Sequence, residues 1–323
     1  MPSTPSKFGG FGGHWTDKKL QVVQTYFASF NQALSKTKFT RVYIDAFAGG
    51  GRVKQKVVGK KQVEIVGDYD WFAGDSSDAD DIPTSEGLDG PESERLRHGS
   101  PLLALEADPG FDEFIFIERN PATMEELKEQ VNSSPSLRRR PVEFICEDAN
   151  VALARICQPG WSRTRRATIF LDPFALQIRW STLEAIARTK GMDMWMLFPA
   201  MAVNRMLPRN GKVPEIWAHR LTETFGDSSY RQEFYAIHES PMEGELFPEL
   251  VPASKEIKLN DPFGRLSRYV TRRLKTVFAD ANEKPLVLKT EAGSPLFLLC
   301  FAVANEKGAP IAKRIADHII KSH

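Results

Sequence analysis

Val42 to Arg52 read VYIDAFAGGGR: a strand-forming run, an acid at Asp45, then small residues closing on Gly49, Gly50 and Gly51. If 42–46 is a strand, the glycines fall at its C-terminal end, where open α/β sheets bind ligands. Three kinds of ligand use such turns, and spacing separates them. A dinucleotide fingerprint needs G-x-G-x-x-G/A, but Lys54 stands in the third slot and no helix signal begins there. A phosphate loop needs GK[ST] after the turn, and none follows. The pattern that fits is acid-x-Phe-x-Gly-x-Gly, through Asp45, Phe47, Gly49 and Gly51. It suits S-adenosylmethionine, which carries a sulfonium and an ammonium and no phosphate. A plain glycine turn before a long loop is the other reading of the same residues.

Further acids stand where later strands are expected to end. FDEFIFIE (111–118) reads as a strand closing on Glu118, whose carboxylate could accept from both ribose hydroxyls or be an exposed strand-end charge. VEFICED (142–148) closes on Asp148, placed for an adenine amino group or as the N-cap of the next helix. TIFLDPF (168–174) ends in Asp172-Pro173-Phe174. An Asp-Pro-aromatic turn at a sheet edge resembles the catalytic turn of amino-nitrogen methyltransferases. There the Asp carboxylate and a proline carbonyl accept from the target NH2 while the ring stacks on a flat base. The usual turn has two prolines and this chain has one, so a strand-ending turn is the competing reading.

Around these stretches strand and helix patterns alternate. Helices are expected at 121–131, 149–157 and 181–189, with a further strand at 192–199. That rhythm argues for a parallel sheet covered on both faces. Upstream, Thr16 is the expected N-cap of a helix whose face is Leu20, Val23, Tyr26, Phe27, Phe30 and Leu34. Residues 52–99 form a long excursion with one hairpin expected at VEIVGDYDWF, and order resumes at Gly99-Ser100-Pro101, with Ser100 as N-cap. Residues 200–261 look like an inserted helical lobe, followed by a helix at 264–278. LVLKT (286–290) and SPLFLLCFAVAN (294–305) suggest a terminal antiparallel hairpin before a last helix. The expected division is an arm and helix at 1–40, a core at 41–199 and 286–323, and an insertion at 200–285.

Composition narrows the class without naming a partner. The chain has 323 residues, 41% hydrophobic and 26% charged, with a formal net charge of +1, so any nucleic-acid binding needs a local patch. Arg138–Arg140, Arg163/Arg165/Arg166 and Arg268/Arg272/Arg273/Lys275 are the candidates, and such runs are more often solvated faces. No apolar run approaches the ~20 residues of a membrane helix. The first residues lack a hydrophobic signal core, so cytoplasmic residence is the expectation. Cys146 and Cys300 lie in apolar contexts and read as buried hydrophobes, and with no CxxC pair a zinc site is not expected.

Taken together, these stretches resemble the three-Cys-motif partner protein family. The matching pieces are HWTDKKL (14–20) with Tyr26, DAFAGGG (45–51), GSPL (99–102), the strand ending in Glu118, LDPF (171–174), FPA…NR (198–205) and PLFLLCFAVAN (295–305). The family usually has Gly where this chain has Ala175. The resemblance implies a class I, Rossmann-like methyltransferase fold: a mostly parallel seven-stranded sheet with a terminal antiparallel hairpin and an inserted helical lobe. It also implies association with a radical-S-adenosylmethionine-like partner, which carries the three-cysteine motif itself. The expected function is S-adenosylmethionine-dependent methylation of an amino nitrogen, with a nucleobase the first guess. The expected roles give Asp45, Phe47, Gly49, Gly51, Glu118 and Asp148 to the coenzyme and Asp172, Pro173 and Phe174 to the acceptor. A non-catalytic partner of the same fold and a nucleic-acid-binding scaffold are the alternatives.

Overall fold

The computed structural model describes residues 14–55, 95–158, 160–238 and 255–323. Residues 1–13 and the expected hairpin at 63–72 lie outside the described residues.

In chain order the elements begin with helix α1 (His14–Leu34) and strand β1 (Thr40–Asp45). A two-stranded clasp follows, β2 (Arg52–Gln55) against β3 (Arg95–His98), then α2 (Ser100–Leu105). The alternating core runs β4 (Glu113–Ile117), α3 (Pro121–Ser133), β5 (Val142–Ile145), α4 (Ala149–Ile156), β6 (Arg165–Leu171), α5 (Trp180–Arg188) and β7 (Met192–Phe198). The lobe comprises α6 (Ala200–Arg205), α7 (Glu215–Phe225), α8 (Tyr230–Phe234), β8 (Tyr235–His238), β9 (Lys255–Lys258) and α9 (Pro262–Leu274). The chain closes with β10 (Asp280–Ala281), β11 (Leu286–Lys289), β12 (Pro295–Val303) and α10 (Ala309–Ser322).

The main sheet has the order β10-β12-β7-β6-β1-β4-β5, with β11 also on β12. β5, β4, β1, β6 and β7 are parallel, whereas β12 runs antiparallel to β7 and to both β10 and β11. β10 and β11 therefore share one edge of β12, and the expected terminal hairpin is present as β11–β12. β1 is central, with Val42, Tyr43, Ile44 and Asp45 all buried, as expected of a strand covered on both faces.

Successive side chains of each strand feed opposite layers. Val42, Ile44, Ile169, Leu171, Met194 and Met196 pack with α4, α5 and the lobe helices. Tyr43, Phe116, Phe170 and Trp195 pack with α1, α2, α3 and α10 in an aromatic layer. Tyr26 meets Trp195 edge-on at 5.4 Å, and Phe27 meets Tyr43 at 4.8 Å. The lobe shares the first core, because Leu221, Phe225, Phe234, Leu266 and Leu274 belong to the same cluster as the sheet. It also carries an antiparallel pair, β8–β9, where the sequence suggested helices alone.

Three local expectations change. The helix starts at His14, so Thr16 lies inside it and its hydroxyl, buried without a hydrogen-bond partner, is not an N-cap. Gly99, not Ser100, caps α2. Cys146 is exposed, because it follows the last residue of β5, while Cys157 and Cys300 are buried.

At the far end of the sheet from the glycine turn, the Tyr26 hydroxyl donates to Asp193 Oδ2 at 2.7 Å, fastening α1 to the start of β7. Burial pushes the Asp193 carboxyl up to about 6, against the Tyr26 hydrogen bond and the Arg166 charge, which pull it down. Tyr26→Phe strands that acid, and a loss of about 1–3 kcal/mol is expected in urea unfolding.

Candidate functional site

β1 sits where the sheet reverses direction: the chain moves from β1 to β4 and β5, then returns to β6 and β7 on the other side. The crevice at the carboxyl ends of the strands beside such a switch point is where open α/β sheets take ligands. Asp45 ends β1, in register with Phe116 of β4 and Phe170 of β6. Asp172 follows β6, Glu118 follows β4 and the Asp148 position follows β5. The four acids thus stand along one edge of four adjacent strands.

Asp45 is fully buried. It accepts from the Tyr43 hydroxyl at 3.0 Å and the Phe47 N–H at 3.2 Å, and the Ser100 hydroxyl also bonds it. Burial raises its pKa from 3.8 to about 6; the bonds from Ser100, Tyr43 and Phe47 oppose that, and the nearby Asp172 charge adds to it. Ser100 reaches Asp45 because the β2–β3 clasp returns the chain to its starting point: Gly99 N–H donates to the Gly51 carbonyl at 2.8 Å. The hydroxyl expected to cap α2 serves the buried acid instead.

The turn after Asp45 requires its glycines. Gly49 has φ +59° and Gly51 has φ +80°, the left-handed region that favours glycine. A Cβ on Gly51 would also lie 2.8 Å from Leu127 Cδ1. Glu118 holds the turn: Oε2 accepts from Gly49 N–H at 3.2 Å and Oε1 from Asn120 N–H at 2.8 Å. Ala48 N–H donates to the Ile117 carbonyl at 2.9 Å, so turn and β4 move as one. The Phe47 ring is half-buried against the first core layer.

On the other side of β1, the Asp172 side chain retains 21% exposure and pairs with Lys19 of α1, whose side chain is 8% exposed. Pro173 is buried and Phe174 is 64% exposed, with its N–H donating to Gln177 Oε1 at 2.9 Å. Asn150 braces the segment behind this turn, donating to the Gln177 carbonyl at 2.8 Å and accepting from Arg179 N–H at 3.0 Å. An apolar cavity of about 20 Å³ under the turn touches Pro173, Leu176, Phe198, Phe225 and Val270. That volume suits about one water, not a base.

The exposed Asp148 is the N-cap of α4, its Oδ1 accepting from Asn150 N–H at 2.9 Å and Val151 N–H at 3.3 Å. The structure therefore brings Asp45 and Asp172 within each other's field and fixes Glu118 under the glycine turn. Asp148 stands further along the edge, beyond β4. Lys19, Tyr43 and Ser100 escaped the sequence reading as site residues. For Lys19 a signal existed: it lies four residues after Trp15 and three before Val22, on the buried stripe.

The basic cluster of α9 is committed internally. Arg272 pairs with Glu233 at 2.5 Å, Arg273 with Asp227 at 3.0 Å and with the Phe225 carbonyl, and Arg268 with Asp261 at 3.4 Å. Arg165 pairs with Glu113, and the Arg166 guanidinium lies 3.8 Å from the Phe39 ring centre.

Five parallel strands in the order β7-β6-β1-β4-β5, extended by the antiparallel β12, form a Rossmann-like sheet with the strand order expected of a class I methyltransferase-like fold. No family model and no curated protein matches the chain. Among solved structures it is similar to protein LPL1258 from Legionella pneumophila, at 16% identity and TM-score 0.39 over 82% of this chain and 93% of that one. It is similar to the methyltransferase domain of bacterial CtHen1, at 10% identity and TM-score 0.37 over 87% and 98%. A third likeness is the glycopeptide N-methyltransferase MtfA complexed with S-adenosylhomocysteine, at 8% identity and TM-score 0.35 over 93% of each chain. No helix among the described residues is long and apolar enough to cross a membrane.

Two outcomes follow from this geometry. Gly51→Ala is expected to cost about 1–2 kcal/mol from its backbone alone, plus the Leu127 overlap. Gly293→Ala, at φ +83° with nothing within 4 Å of a Cβ, should show the backbone part only, so thermal unfolding of both separates the two. For Asp45, the folded state holds the proton more tightly than the unfolded chain. Its stabilising contribution is complete below about pH 4 and lost as pH rises through 6. Asp45→Asn should therefore gain about 3 kcal/mol on wild type between about pH 4 and 7 in urea titrations.

Proposed function

We propose that this chain is an S-adenosylmethionine-dependent methyltransferase acting on an amino nitrogen. The observation that carries the reading is a buried carboxylate, Asp45, under a left-handed glycine turn that Glu118 locks, at the switch point of the sheet. The donor set fits the coenzyme: acids for its cationic groups and hydroxyls, and no GK[ST] for a phosphate. Bound S-adenosylmethionine supplies a methyl on sulfonium; the acceptor nitrogen's lone pair takes it, the C–S electron pair stays on sulfur and a nitrogen proton leaves to solvent.

The residues divide the remaining work. Asp45 supplies the negative charge beside which a cationic coenzyme group is favourable. Gly49 and Gly51 keep the turn free of side chains, and Phe47 closes it against the core. Glu118 has lone pairs beyond its two loop bonds with which to accept from ribose hydroxyls. Asp148 caps α4 through Oδ1 and has Oδ2 for an adenine amino group. Asp172 and the Pro173 carbonyl accept from the target amine, and the exposed Phe174 ring stacks on its flat group. Catalysis here is positioning and electrostatics.

The Asp172-Pro173-Phe174 turn makes a nucleobase amine the first candidate acceptor, and the resemblance to the three-Cys-motif partner family extends the reading to a radical-S-adenosylmethionine-like partner. The proposed organisation is an arm and helix at 1–40, a core at 41–199 and 286–323, and an insertion at 200–285.

Calorimetry with S-adenosylmethionine and S-adenosylhomocysteine tests the coenzyme directly. Folded protein that binds neither overturns the reading. Because Asp45 must be ionised, affinity for S-adenosylmethionine should fall about tenfold from pH 7 to pH 5, and Asp45→Asn should flatten that dependence.

A further inference from the structure

Lys19 has no role in the reading above, and its setting asks for one. It lies on the buried stripe of α1 formed by Thr16, Lys19, Val22, Val23 and Tyr26, with 6% of its surface exposed. A lysine ammonium is strongly hydrated and almost never fully buried unless paired. The adjacent Lys18, only half-buried, shows that the same turn offers a wetter position. The buried ammonium contacts Oδ2 of Asp172 and stands 5.2 Å from the centre of the Trp15 ring, which adds an attractive face for a cation.

Asp172 does not act alone at this edge. Its charge reaches Asp45 and Tyr43 at the end of the neighbouring strand, making each harder to ionise. Two carboxylates so placed repel, and a cation taken from the opposite element offsets one of them. Ionised Asp45, ionised Asp172 and Lys19 together carry one net negative charge. S-adenosylmethionine, with a sulfonium, an ammonium and a carboxylate, carries one net positive charge, and S-adenosylhomocysteine carries none.

We propose that Lys19 is a positioning residue of the transfer site: it holds Asp172 through Oδ2, turns Oδ1 toward the acceptor N–H, and balances the acid pair so that the site matches the coenzyme's charge before transfer and not after. This rests on the coenzyme reading given above. Without Lys19 the cluster would carry two negative charges and would hold the ground-state sulfonium more tightly. Binding of that kind stabilises the reactant more than the transition state and slows the chemical step.

The test needs no acceptor. The quantity is the ratio of dissociation constants, S-adenosylhomocysteine over S-adenosylmethionine, from calorimetry on the full chain at pH 8. Lys19→Met should raise that ratio about tenfold and Asp172→Asn lower it about tenfold. The Lys19→Met/Asp172→Asn double variant should return it close to wild type, and Lys19→Arg should leave it near wild type. A merely structural lysine would weaken both ligands together and leave the ratio fixed. If wild type binds both ligands and folded Lys19→Met leaves the ratio unchanged, the Lys19 proposal is wrong while the coenzyme reading stands. If wild type binds neither, the coenzyme reading is what fails. Should Lys19→Met not fold, Asp172→Asn decides alone, since an unmoved ratio there also overturns the proposal.

Discussion

A carboxylate with no exposed surface, Asp45, is the constraint around which the rest is arranged. An acid can stay there only if donors meet it, and each donor ties a different part of the fold to it. Tyr43 brings the aromatic layer, because its ring packs on Phe27 of α1. The Phe47 N–H brings the turn into the glycines. Ser100 brings the distant end of the excursion, which must close to deliver it. The fold around the switch point can be understood as the set of connections that keep this group hydrogen-bonded.

Much of this was legible in the sequence, and the failures have physical causes. The alternation of strands and helices, the terminal antiparallel hairpin and the row of acids at strand ends were all readable, because a parallel sheet imposes a simple period. Lys19 was not, because the apolar face of α1 was drawn through Leu20, which is only half-buried. The expected residues Val23, Tyr26, Phe27 and Phe30 are buried, but the buried stripe is wider and also takes in Thr16, Lys19, Val22 and Asn31, and polar members do not register in apolar spacing. Asn31 is tolerated there by donating to the Pro109 carbonyl at 3.0 Å. Ser100 was assigned to the helix it begins, since local capping is the usual fate of such a hydroxyl. Only tertiary closure reveals the other acceptor.

The lobe between β7 and β10 is joined to the sheet by more than connectivity. Its helices fill the same core cluster, and Lys258 of β9 reaches the end of α6, where its ammonium donates to the carbonyls of Asn204 and Leu207 at 3.0 and 2.7 Å. Burial, and then the Arg209 charge, lower the pKa of that lysine. A cation is favourable at a helix C-terminus, where carbonyls lack partners. The turn carrying Phe174 is therefore backed by a wall continuous with the core.

The clasp of β2 on β3 has a consequence for how this chain can change. Entry and exit of the 56–94 segment are zipped together by four residue pairs and sealed where Gly99 meets Gly51. Whatever length of chain lies beyond such a neck, the positions of Gly51 and Ser100 are set on the near side of it. Doubling an inserted length costs only about 0.6 kcal/mol of closure entropy. The clasp thus works as a socket: sequence can be exchanged or lengthened above it while the acid at the end of β1 keeps the same three donors.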